Sequence, residues 1–280
     1  LGPLAGGHLA SPAKAPGPMI PRPGTRDCLA RFLGGLFLSL VLGGQVSGDE
    51  IRVAVAANYT DCLKDIATAF TDSTGHRLII SPGSTGRHYA QIKSGAPFDL
   101  FLAADVHRPA LLEEDGLIVP GSRFTYAEGR LALWLPAEGP GDKRDVPDIL
   151  AAAAFQHLAI ANPRLAPYGL AAQQTLEYLG LWDDLKDRLV IGQSVGQAWQ
   201  FVASGNAEAG LVAYPQILAA GEARGQWWKI DPPLHEPILQ QAVALAAAEN
   251  LQAALVFLDF LKGPQARLIM IRCGYLIPEN

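Results

Sequence analysis

The chain has little that would suit metal chemistry, nucleic acid or a membrane span. Only three cysteines occur in 280 residues, and the six histidines are scattered rather than spaced as ligands. That pattern argues against a structural or catalytic metal centre. Charged residues make up just 18%, with 27 acids against 22 bases. There is no basic cluster and no interleaving of aromatic with basic residues, so nucleic acid is excluded as a partner class. No nucleophile-and-base constellation of the triad kind is visible, and the chain does not read as an enzyme. Asp99 and Asp105 flank one apolar run. An Asp between a strand end and a helix commonly serves as a cap, so these two are not read as an acid–base pair.

A membrane anchor is the rival reading of the apolar segment near the start, and length counts against it. The longest apolar run, 32–42, falls short of the roughly 20 residues a spanning helix needs. It follows Arg26 and Arg31 and precedes the small residues Val46-Ser47-Gly48. That is the form of a secretory signal peptide cleaved after Gly48, behind a disordered Pro/Gly/Ala-rich stretch over 1–23. Residues 1–48 are therefore set aside and a periplasmic location is expected. With no lipid-bearing cysteine at the cleavage site, the protein is expected to be free rather than tethered. Lys14, Arg22, Arg26 and Arg31 in that segment outnumber Asp27 by three, so its removal takes the formal net charge from −5 to −8. Any bound anion must then be held by local dipoles against the overall field. Cys28 leaves with the signal. Cys62 and Cys273 can pair in an oxidising compartment or remain two buried thiols.

What is there is 49% hydrophobic and strongly alternating. Strand-like runs at 51–57, 78–81 and 99–104 alternate with helical patterns at 60–72, 89–93 and 107–115. A strand over 130–136 and a loop at 139–142 lead into a second series. It has helices at 149–155, 169–179 and 197–203, and strands at 158–161, 189–191 and 209–214. A further strand over 239–246 precedes a long helix, 251–272, broken at Gly263-Pro264. This βαβ order implies mainly parallel sheets flanked by helices. Two similar halves with a late return imply two lobes, 49–128 with 240–280 and 129–239, joined by two crossings near 126–133 and 228–243. Trp227-Trp228 reads as packing near the second crossing. Ligands of such sheets bind outside the carboxyl ends of the strands, here in the interlobe cleft.

Four strand-to-helix corners carry the binding argument. Ala56-Ala57-Asn58-Tyr59-Thr60 and Ser81-Pro82-Gly83-Ser84-Thr85-Gly86 follow the first two strands. Pro167-Tyr168-Gly169 and Ser194-Val195-Gly196 open two helices of the second half. A helix start presents unpaired N–H groups and the positive end of a dipole, so it takes an anion without a charged side chain. Singly, Asn58 reads equally as a helix cap, and Ser84 and Thr85 as turn residues. Arg87 and His88, early in a helix, read as a solvent-facing group that steers anions and a packing group. Four such starts on one cleft would give a tetrahedral dianion a shell of neutral donors, each charge-assisted bond contributing about 1.5–3 kcal/mol.

The run Val55-Ala56-Ala57-Asn58-Tyr59-Thr60 resembles the first binding loop of periplasmic molybdate-binding proteins, the solute receptors of molybdate ABC transporters. Gly83-Ser84-Thr85-Gly86-Arg87-His88-Tyr89-Ala90-Gln91-Ile92 resembles the second. Gly95-Ala96-Pro97-Phe98-Asp99-Leu100-Phe101, Ala161-Asn162-Pro163, Pro167-Tyr168-Gly169, Gly210-Leu211-Val212 and Leu261-Lys262-Gly263-Pro264-Gln265-Ala266 match in the same order. The resemblance implies a type II periplasmic binding protein fold. It also implies a monomer without cofactor that carries molybdate, and tungstate with it, to an ABC permease. By position it implies ligand contacts from Asn58, Ser84 or Thr85, Tyr168 and Val195, with Ala57 beside Asn58, and the oxyanion held through its oxygens alone. Asn58 stands where many members carry Ser, and its amide NH2 can donate. A tyrosine that some members add falls on Ala213 or Tyr214. The alternatives are a receptor for sulfate or another small oxyanion, an enzyme using the same cleft, or the sensing half of a transcription regulator. The last is disfavoured by the export signal and the lack of a DNA-binding helical region.

Overall fold

The computed structural model describes residues 48–136, 145–221, 225–230 and 232–278. The expected disordered leader and signal peptide, up to residue 47, and the loop at 139–142 lie outside them. Strand β1 (Glu50–Ala56) passes through one 3-10 turn (Ala57–Tyr59) into helix α1 (Thr60–Thr74). Strand β2 (Arg77–Gly83) leads into α2 (Thr85–Lys93), and β3 (Leu100–Ala103) into α3 (His107–Glu114). Then come β4 (Phe124–Gly129), β5 (Leu131–Leu135), α4 (Val146–Ala152), β6 (Leu158–Ala161), α5 (Pro167–Tyr178) and α6 (Trp182–Leu185). They are followed by β7 (Leu189–Gly192), α7 (Val195–Ala203), β8 (Ala209–Ala213), α8 (Tyr214–Ala219) and β9 (Gln226–Ile230). Strand β10 (Ile238–Ala244) precedes α9 (Leu251–Lys262) and α10 (Pro264–Arg272).

These elements form two five-stranded sheets, ordered β2-β1-β3-β10-β4 and β7-β6-β8-β5-β9. In the first, β1 runs parallel to β2 and β3, while β10 is antiparallel to β3 and β4. The second repeats the plan: β6 is parallel to β7 and β8, and β5 is antiparallel to β8 and β9. The chain passes between sheets twice, at Gly129–Leu131 and between Ile230 and Ile238.

The apolar runs of β1 and β3 are continuous because both faces are covered. Ile51, Val53 and Val55 join Leu100 and Leu102 under α1 and α9, where Leu63, Ile66, Phe70 and Phe257 complete the larger core. Ala54, Phe101 and Ala103 point the other way, onto Ile92 and Leu112. Each fully buried side chain of this size contributes about 1.5–3 kcal/mol. The two cysteines that could pair do so: Cys62 and Cys273 form a disulfide, their Cα atoms 5.9 Å apart. It joins the first turn of α1 to the end of α10.

Four elements were not anticipated from the sequence: β4, α6, α8 and β9. The strand expected to run through 214 stops at Ala213. Tyr214 opens α8 instead, because Pro215 sits in the helix's first turn, where a missing N–H costs nothing. Trp227 and Trp228 belong to edge strand β9, opposite Trp134 and Leu133 of β5. The break expected at Gly263-Pro264 separates α9 from α10.

Candidate functional site

Where the carboxyl ends of the two sets of parallel strands face each other, the lobes border a narrow cavity of about 10 Å3, room for about one water molecule. That is far below the roughly 300–1,000 Å3 of a drug-sized ligand site, so the two lobes stand close together around it. Ala56, Ala57 and Asn58 border it from the β1 corner, and Gly83, Ser84 and Thr85 from the β2 corner. Tyr168 and Val195 border it from the starts of α5 and α7. The structure thus brings Ala57, Asn58, Ser84, Thr85, Tyr168 and Val195 together. Tyr214 does not line the cavity. As the first residue of α8, it packs its ring on Trp227, with the Arg130 guanidinium 5.5 Å and the Lys229 ammonium 5.2 Å from the ring centre.

Ser84 occupies the N-cap position of α2, yet its side chain caps nothing. Its hydroxyl is buried without a hydrogen-bond partner. A hydroxyl in that state is costly unless something else uses it, so the plain capping explanation fails here. Thr85 has a different task. Its Oγ1 accepts the Ala104 N–H at 3.0 Å, tying the corner to the end of β3, while its own proton stays available to donate. Contrast α7, where Ser194 does cap: its Oγ accepts the Gln197 N–H at 3.3 Å. Gln197 Oε1 accepts the Gln193 N–H at 2.6 Å. The reciprocal cap fixes the helix start, and the first-turn N–H of Val195 has no acceptor within the helix. The same holds for Tyr168 in the first turn of α5.

Asn58 is not a helix cap either. Its amide nitrogen donates inward, to Gln240 Oε1 at 3.0 Å and Tyr275 Oη at 3.1 Å. The NH2 that the resemblance offers to a ligand is therefore spent on the protein in this conformation, and what remains for the cavity is the backbone of the turn. Tyr275 returns a bond from its hydroxyl to the Asn58 carbonyl at 2.7 Å. Tyr126 also donates to Gln240 Oε1, at 3.1 Å. Burial pushes the phenols of Tyr59, Tyr126, Tyr168 and Tyr275 well up, so each keeps its proton. Gln240, Tyr126 and Tyr275 carried no local signal in the sequence: they lie 182 and 217 positions from Asn58 in two cases and in unrelated elements.

Among the described residues, no charged side chain borders the cavity. Arg87 is exposed in the wider mouth beside it. His88 is buried against Phe98 and Phe101, its Nδ1 facing Gln91 Oε1 at 3.0 Å, and burial lowers its pKa. Asp99 accepts the N–H groups of Arg52 and Asn250. Asp105, just before α3, accepts the Arg108 N–H and pairs with the Arg108 side chain. Both carboxylates serve the structure. Two bonds across the lobes close the rim: Gly86 N–H to Leu165 O, and Arg108 Nη2 to Arg164 O, each 2.8 Å.

The profile of the bacterial extracellular solute-binding proteins matches residues 51–276. A molybdate-binding protein of Azotobacter vinelandii is 49% identical over 227 residues, 81% of this chain and 89% of that protein. This chain belongs to the bacterial extracellular solute-binding proteins, on their molybdate-binding branch. A second such relative, from Rhodobacter capsulatus, is 42% identical over 245 residues, covering 87% and 95% of the two chains. The solved structure of the Azotobacter vinelandii periplasmic molybdate-binding protein superposes with a TM-score of 0.78 at 42% identity. It covers 82% of this chain and 100% of that one. The two-lobed type II fold of this solute-binding family accounts for both mixed sheets and for the cavity between them.

Proposed function

We propose that this solute-binding protein captures molybdate, and tungstate with it, and delivers the ion to the permease of an ABC importer. The observation that carries the reading is the uncharged cavity, walled by helix starts from both lobes and holding a buried, unpartnered Ser84 hydroxyl. Ser84 and Thr85 donate through hydroxyls, Tyr168 and Val195 through backbone N–H, and Ala57 and Asn58 through the backbone of their turn. Ser84 is the main side-chain donor, because its buried hydroxyl has no partner in the protein and is free to turn, whereas the bond from Ala104 fixes the Thr85 oxygen. Each bond to a charged acceptor contributes about 1.5–3 kcal/mol, so a handful offsets dehydration of the ion without a buried cation. The reading is of a binding protein, in keeping with the molybdate-binding proteins to which the chain is similar.

Lobe 1 comprises 49–128 and 240–280, and lobe 2 comprises 129–239, with the two passages between sheets as hinges. The protein acts as a monomer in the periplasm after a signal peptide is removed behind Gly48. Calorimetric titration of the exported protein with molybdate, tungstate, sulfate and phosphate at matched ionic strength tests the reading. One-to-one binding of molybdate and tungstate, with the other two silent, is expected. Binding of sulfate alone would overturn the ligand, and silence of all four would overturn the oxyanion site.

A further inference from the structure

Three unpartnered buried polar atoms meet beneath the cavity: Asn58 Oδ1, Gln240 Nε2 and Tyr168 Oη. They come from three elements and both lobes, yet their chemistry is complementary. An amide oxygen only accepts, an amide nitrogen only donates, and a phenol does both. They are also neighbours. A Cβ on Gly129 would stand 2.2 Å from Tyr168 Oη and 2.8 Å from Gln240 Nε2. The Tyr168 phenol faces the backbone of Arg130 and the side chains of Asn58 and Gln240. Glycine at 129 is what lets a lobe 2 tyrosine reach into lobe 1 at the passage between the sheets.

The other ends of the same amides are fully engaged. Gln240, completely buried, takes the Asn58 and Tyr126 donors on one oxygen, while Tyr275 grips Asn58 at both its amide nitrogen and its carbonyl. Asn58 is thus held from lobe 1 by two side chains, neither of which borders the cavity. The Cys62–Cys273 disulfide anchors both sides of this grip, four residues beyond Asn58 and two before Tyr275.

We infer that Gln240 and Tyr275 are positioning residues for oxyanion capture: they set the orientation of Asn58 at the cavity wall, and Tyr168 links that setting to the second lobe. A small approach of α5 toward β10 lets Gln240 Nε2 donate to Tyr168 Oη and Tyr168 donate to Asn58 Oδ1, so that all three atoms are satisfied at once. The network then favours the closed arrangement that surrounds the ion. This inference rests on the proposed molybdate-binding reading.

The test is a double-mutant cycle on the full chain, purified after export, with molybdate as the titrant. Gln240→Leu is expected to raise the molybdate Kd about 10- to 100-fold, as loss of a supporting partner does at other ion sites. In the Asn58→Ala background the same substitution is expected to change Kd less than about twofold, because the residue it acts through is gone. Equal weakening in both backgrounds, or no weakening in either, would overturn the inference, since a purely structural role does not depend on Asn58. Tyr275→Phe removes the bond to the carbonyl of residue 58 as well as the one from the Asn58 amide, so it is expected to raise Kd in both backgrounds and more in the unaltered one. It carries the test should Gln240→Leu not fold, and no weakening in either background, or equal weakening in both, would overturn the inference. Failure of the unaltered protein to bind molybdate would overturn the underlying reading, and is seen before any variant is compared.

Discussion

Replacing Ser84 by Ala should move stability and affinity in opposite directions. Serine at a helix N-cap normally contributes about 0.5–2 kcal/mol relative to Ala through its capping bond. At position 84 that bond is absent, so nothing of this kind is lost. What the substitution removes is a hydroxyl that is 4% exposed and unpartnered, and relieving its desolvation is worth on the order of 1 kcal/mol. For a chain of this size the gain corresponds to a rise of roughly 2–4 °C in Tm without ligand. Binding should suffer, because a bond to a charged acceptor contributes about 1.5–3 kcal/mol, a loss of roughly 10- to 150-fold in Kd. Thermal unfolding of the ligand-free protein and calorimetric titration with molybdate read the two effects separately. A lowered Tm with an unchanged Kd would instead return Ser84 to the role of a cap and remove it from the binding site.

Gly86→Ala places a Cβ 2.9 Å from the Leu165 carbonyl oxygen across the rim, opposing closure without disturbing either core. Molybdate titration should show weaker binding while the ligand-free Tm moves by no more than about 1 °C. The Cys62–Cys273 disulfide closes a separation of 211 residues. The double Cys→Ser variant should lose about 5 kcal/mol by chain-entropy reasoning, seen as a Tm lower by roughly 10–20 °C. His88 supplies a pH dependence. Burial lowers its folded pKa below the usual 6.5, so the unfolded chain binds more protons below that value. Stability present above about pH 6.5 is therefore lost as the pH falls, until the folded His88 itself titrates. Melting curves between about pH 8 and 5 should show a steeper fall for the unaltered chain than for His88→Gln.

The alternation of strands and helices was legible because β1, β3 and β6 are short apolar runs covered on both faces, followed by clear helical periodicity. The corners around Asn58, Ser84, Tyr168 and Val195 were legible for the same reason: once parallel strands are placed, their carboxyl ends are known. Strand β9 was hidden because Gln226–Ile230 is an edge strand whose paired tryptophans fit a loop equally well. Strand β4 was hidden because it ends in the passage between the sheets. The orientation of Asn58 was out of reach altogether. It is set by Gln240 and Tyr275, contacts far apart in sequence that no local pattern encodes. Likewise, Ser84 and Thr85 looked interchangeable until the bond from Ala104 to Thr85 separated an engaged oxygen from an unpartnered one.

The proposed site holds a dianion by neutral donors alone, in a chain whose net charge is negative. A crystal structure grown with molybdate, with the ion located by the anomalous scattering of molybdenum, tests it most directly. A single molybdenum peak is expected between Ser84, Thr85 and the starts of α5 and α7, with no Lys or Arg side chain touching the oxygens of the ion. A peak in the outer mouth against Arg87, with the cavity bordered by Ser84 left unchanged, would contradict it.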